Sequence, residues 1–106
     1  MFFRRGPKID INTAVENLKN DKNALLVDVR EADEYKAGHI PGAINVPLST
    51  IQNSHKKKLP KKDQPIHMYC VTGPRAQTAV NYLKSQGYTA AQNIGGIASY
   101  KGSLKR

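Results

Sequence analysis

Cysteine occurs once in these 106 residues, acidic side chains number 8 against 17 lysines and arginines, and every apolar run is short. Each shortage excludes something. A single cysteine forms no internal disulfide, and with only three scattered histidines it lacks the paired spacing of a zinc site. A reducing compartment, the cytoplasm, is therefore expected, with no structural metal and no cofactor. No stretch approaches the ~20 apolar residues of a membrane-spanning helix, and there is no repeat or low-complexity tract. The shortage of acid leaves a net charge of +9, which draws anions toward the surface. Small anionic substrates, acidic phospholipids and nucleic acid all match that sign.

The length suits one domain with one core, and 39% hydrophobic with 24% charged residues is the composition of an ordinary soluble globular protein. The lysines cluster in HKKKLPKK, residues 55–62. A proline breaks that stretch and no aromatic residues alternate with the charges, so it reads as a solvated loop, and no nucleic-acid partner is expected. The start, MFFRRGPK, divides the chain into a tail over residues 1–7 and a domain over 8–106. Two readings of the tail stand: a frayed terminus, or the aromatic and basic border of a membrane anchor that would hold the domain on the cytoplasmic side.

Strand and helix signals alternate along the rest. ALLVDV, residues 24–29, is an apolar run ending in a charge, as in a parallel strand buried on both faces. EADEYKAG is a short helical turn stopped by Gly38, GAINVP a second short strand and QPIHMYC a third. RAQTAVNYLKSQG sets Ala76, Ala79, Val80 and Leu83 on one helical face, with Gly87 as its stop. AAQNIGG supplies a last strand and a glycine turn. This order predicts an α/β domain with a mostly parallel central sheet flanked by helices on both faces.

In such sheets ligands bind outside the carboxyl ends of the strands. Asp28, Arg30 and Cys70 are expected on that rim. Cys70 then begins a loop, CVTGPRA, that runs from a strand into a helix N-terminus, where unpaired N–H groups and the helix dipole favour negative charge and hence a thiolate. Gly73 supplies positive φ for an anion nest, Pro74 suits the first helical turn, and Arg75 brings a planar fork of donors. Thr72 adds a hydroxyl. Cysteine and arginine separated by four residues at such a junction point to a reactive thiol rather than a core cysteine.

These segments resemble the single-domain rhodaneses, a sulfurtransferase family, over nearly the whole chain. DVREADEYKAGHIPGA (28–43) is similar to the first family signature, CVTGPRA to the CxxGxR active loop, and NIGGIASY to the C-terminal glycine turn. The resemblance implies that Cys70 attacks the outer sulfur of a donor such as thiosulfate, carries it as a persulfide, and passes it to cyanide or a thiol. It implies a substrate-binding set of Val71, Thr72, Gly73, Arg75 and Ala76, beside which Arg30 is a candidate from its place on the rim. A monomer is expected. Ala76 stands where many family loops have serine, and Tyr100 where relatives often place tryptophan.

Competing readings turn on neighbouring residues. His67 lies on the strand of Cys70, roughly 10 Å away and on the opposite face, a poor base. His39 is assigned local hydrogen bonding in its turn, and His55 exposure in the lysine loop. Asp28 is expected to accept backbone amides and Glu34 to pair with a nearby cation. Arg30 either pairs with Glu34 one helical turn on or points into the crevice as a second anion contact. Related phosphatases and arsenate reductases space cysteine and arginine by five residues, so that activity ranks below sulfur transfer. A non-catalytic interaction or sulfur-carrier module is the other alternative.

Overall fold

Four apolar segments pair side by side in the computed structural model, which describes residues 9–106. They are β1 (Leu25–Asp28), β2 (Ile44–Asn45), β3 (Ile66–Cys70) and β4 (Ala91–Gly96), in the order β2-β1-β3-β4. Every pairing is parallel. Four helices connect or flank them: α1 (Ile11–Leu18), α2 (Ala32–Ala37), α3 (Ile51–Lys58) and α4 (Pro74–Ser85). The tail set apart at residues 1–7 lies outside the described residues. Among those described, no helix is long and apolar enough to cross a membrane.

The period of two along β3 divides the core into two layers. Ile66, Met68 and Cys70 face one side, where they pack with Ile51, Leu59, Ala76, Ala79, Val80 and Leu83. Tyr69 faces the other and joins Leu26, Ile94, Ile40 and the α1 residues Ile11 and Ala14. Helices thus cover both faces. The four apolar positions read from the α4 sequence are all buried.

Two segments differ from the sequence expectation. Helix α1 was not anticipated. Asp10 starts it, its carboxylate accepting the Asn12 and Thr13 amides at 3.0 and 3.3 Å. The first half of the lysine stretch expected as a loop, residues 55–58, is instead the end of α3, while residues 59–62 are irregular as expected. Ile51, His55 and Leu59 recur every four residues and are all buried, while Lys56, Lys57 and Lys58 occupy the last turn, where cations complement the carbonyl end of the helix dipole. Pro60 then bars a further turn.

His55, expected to be exposed, is 2% exposed. Its ring nitrogens lie 3.2 Å from the Tyr88 hydroxyl and 3.3 Å from that of Tyr82. Tyr88 gives its proton to the Leu59 carbonyl, so it accepts from Nδ1–H and leaves Nε2 to accept from Tyr82. This arrangement suits a neutral imidazole. Burial, with the charges of Lys56 and Lys62, holds the His55 pKa below its ordinary 6.5.

The sign for stability follows from proton uptake. Well above pH 6.5 the ring is neutral folded or unfolded; below it the unfolded chain takes a proton that the folded one resists, so stability falls as pH drops toward the lowered folded value. His67, whose pKa burial also lowers, adds in the same direction. Urea unfolding at pH 7.5 and 5.0 is expected to show a larger acid loss for the native sequence than for His55→Gln. Equal losses would contradict this role for His55.

Candidate active site

The strand ends place the chemistry. Cys70 is the last residue of β3, and Gly73, with φ 119°, opens α4 three residues later. That left-handed conformation is one glycine adopts readily, and it turns the chain sharply enough to bring amides back over the sulfur. The Gly73 N–H donates to Cys70 Sγ at 3.0 Å and the Ala76 N–H at 3.4 Å. Pro74, which has no N–H, occupies the first helical position, where none is needed. Cys70 itself is 1% exposed, more enclosed than a partly open reactive thiol.

The loop rests on β4. Cys70 pairs with Gly96, and a Cβ at Gly96 would lie 2.6 Å from Thr72 Cα and overlap the Val71 carbonyl group. The Val71 carbonyl accepts the Ala98 N–H at 3.1 Å just beyond that contact. Val71 is half-buried and Thr72 exposed. Asn93, a buried residue absent from the sequence-based site, ties the two segments together. Its amide nitrogen donates to the Gly73 carbonyl at 3.2 Å and to Gln77 Oε1 at 3.3 Å, while its oxygen accepts the Gly95 N–H at 2.8 Å. The last of these is the local bond that asparagine commonly makes two residues on, and it is the signal in NIGG that marks the residue.

Both arginines of the expected set are paired with carboxylates. Arg75 Nη1 and Nη2 donate to Glu34 Oε1 and Oε2 at 2.7 and 3.1 Å, a two-pronged ion pair. Glu34 also accepts the Glu31 N–H at 2.9 Å, closing the capping box that starts α2. The Arg75 hydrogen bonds and then the Glu31 amide hold the Glu34 carboxyl down at about 2. The Arg75 pKa is raised, first by its bonds to Glu34 and then by the charge of that carboxylate. The cation expected for Glu34 is therefore Arg75.

Arg30 adopts neither expected position. Its guanidinium grips Asp28, with Nη2 at 2.7 Å from Oδ2, and donates to the Gly38 carbonyl at 2.7 Å. The two residues are 7% and 0% exposed, so burial fixes the pair inside the rim rather than on Glu34 or in the crevice. Asp28 accepts the Arg30 amide at 2.8 Å, as anticipated. His39 makes its local bond, Nδ1 lying 2.9 Å from the Tyr35 carbonyl. His67 contacts Gln92 at 2.8 Å, on the sheet face away from Cys70.

The backbone contact at Gly96 generates a test. Gly96→Ala must push the Val71–Thr72 backbone off its seat, at a cost of about 1–3 kcal/mol typical of overpacking. Thermal unfolding is expected to show that loss, and iodoacetamide to alkylate Cys70 faster. Native stability with unchanged alkylation would contradict the close approach.

The geometry can be set beside known proteins. The family model for the rhodanese-like domain matches residues 12–103. Thiosulfate sulfurtransferase PspE of Escherichia coli is 34% identical over 71 residues, covering 67% of this chain and 68% of its own. The tRNA uridine(34) hydroxylase of Buchnera aphidicola is 40% identical over 96 residues, 86% of this chain but 30% of its own length. This chain spans between 23% and 66% of the length of four curated relatives. Among solved structures, the human single-domain sulfurtransferase TSTD1 superposes with a TM-score of 0.74 at 30% identity, covering 87% of this chain and 91% of that one. With its signature motifs, its parallel sheet and its Cys70 loop accounted for together, the chain belongs to the rhodanese-like domain family.

Proposed function

We propose that this protein is a sulfurtransferase that moves a sulfane sulfur from thiosulfate or a related donor to cyanide or a thiol through a persulfide on Cys70. The observation that carries this reading is the pair of amides, Gly73 and Ala76, aimed at Cys70 Sγ. Amides directed at a sulfur favour its anionic form and stabilise charge that develops on it. The Cys70 thiolate attacks the outer sulfur of thiosulfate. An Sγ–S bond forms as the donor S–S bond breaks, and sulfite departs with the electron pair. The acceptor, cyanide or a thiolate, then attacks the outer sulfur and returns Cys70 as thiolate. No external oxidant or base is required if Cys70 starts as thiolate.

Supporting the reading are the four-residue spacing from Cys70 to Arg75 and the names of PspE and TSTD1 among similar proteins. A lone thiol used in this way suits a reducing compartment, and a monomer suffices, since the loop is built from one chain. The residues that hold the donor are proposed to be the loop from Val71 to Ala76, with Arg75 supplying donors at its edge.

The test is thiosulfate-to-cyanide turnover. Cys70→Ser keeps the shape but removes the nucleophile, so turnover is expected to fall about a thousandfold or more. Arg75→Ala is expected to weaken donor capture, raising KM more than it lowers kcat. Absence of cyanide turnover in the native protein with thiosulfate and with a persulfide donor alike, or its persistence in Cys70→Ser, would overturn the reading.

A further inference from the structure

A net charge of +9 draws anions of any kind toward the surface as a whole. The rim itself is different. Arg75 is bound at both terminal nitrogens by Glu34, and Arg30 is bound by Asp28. These four charges sum to zero. Lys58, at the end of α3, does not replace them at the sulfur. Lys58 Nζ reaches the Asn45 carbonyl on β2 at 3.1 Å, and β2 stands two strands from β3, about 10 Å across the sheet.

Arg75 nevertheless keeps three of its five N–H donors unspent on Glu34. It offers hydrogen bonds without net positive charge. The Glu34–Arg75 pair is about one-third exposed on both sides, so an arriving donor meets the carboxylate as well as the guanidinium. A unit charge repels a dianion twice as strongly as a monoanion and leaves a neutral donor unaffected. The same holds for the leaving group, since sulfite departs as a dianion and a thiolate as a monoanion.

Building on the sulfur-transfer reading, we propose that Glu34 sets the donor charge selectivity of the Cys70 site, disfavouring dianionic donors relative to persulfides, which carry at most one negative charge and react as the protonated R–S–SH. With such a donor the Cys70 thiolate attacks the outer sulfur of R–S–SH. The Sγ–S bond forms, the donor S–S bond breaks, the outer sulfur keeps its proton, and R–S⁻ leaves. Sulfur enters and leaves at one oxidation level, so the step balances without an oxidant.

Glu34→Gln isolates the charge. Glutamine retains an oxygen for the Glu31 amide, and the capping box accepts either residue at this position. Single-turnover loading of Cys70 is followed by intact mass, with the thiosulfate dianion and with a simple alkyl persulfide, which carries at most one negative charge, as separate donors, at low and high salt. In Glu34→Gln the second-order loading rate for thiosulfate is expected to rise about tenfold relative to that for the alkyl persulfide, and the rise to shrink as salt screens the charge. Glu34→Asp, which keeps the charge, is expected to hold the native ratio. A ratio unchanged in Glu34→Gln, or shifted equally in Glu34→Asp, would overturn the inference while leaving sulfur transfer intact. Loading by neither donor in the native protein would overturn the sulfur-transfer reading and this one with it.

Discussion

Backbone meets backbone where the Cys70 loop crosses Gly96, and the site depends on that contact. Any side chain at Gly96 would occupy the space of the Val71 carbonyl and Thr72 Cα. Seated there, the chain leaves β3 low over β4, turns at Gly73 and enters α4 with its first amides facing the sulfur. Asn93 locks the turn from the β4 side through the Gly73 carbonyl. The sheet therefore supplies more than a platform: the spacing of β3 and β4 sets how closely the loop folds over Cys70.

Charge is handled separately from shape. The chain is strongly basic as a whole, yet around the rim each arginine faces a carboxylate, one pair buried and one partly open. The buried Asp28–Arg30 pair, with its bond to the Gly38 carbonyl, fixes the end of β1 against the end of α2. The Glu34–Arg75 pair joins α2 to α4 across the mouth. Both helices are thus held at fixed positions around Cys70, and what remains to attract an anion is the short-range field of the loop amides and the α4 N-terminus.

Much of this was legible in the sequence where the signal is local. The β3 run, the α4 face at Ala76, Ala79, Val80 and Leu83, and the Cys70 to Arg75 spacing all lie within single elements, where periodicity and turn chemistry apply. Helix α3 was hidden because its buried face passes through His55, which reads as polar until Tyr82 and Tyr88 are placed beside it. The Arg75 partner lies 41 positions away and the Asn93 bond to Gly73 20 positions away. No local pattern links such pairs; only the folded sheet brings them together. For Arg30 the i,i+4 spacing of helices points to Glu34, but the residue lies just past a strand end, where Asp28 two positions earlier is the nearer partner.

The claim on which the account rests is that the Gly73 and Ala76 amides hold the sulfur that does the chemistry. Amide ¹H–¹⁵N spectra recorded before and after sulfur loading, and again after cyanide, test it directly. The account predicts that the Gly73 and Ala76 resonances shift most when Cys70 gains its outer sulfur and return when cyanide removes it. Loading detected by mass with those two resonances unmoved would contradict it.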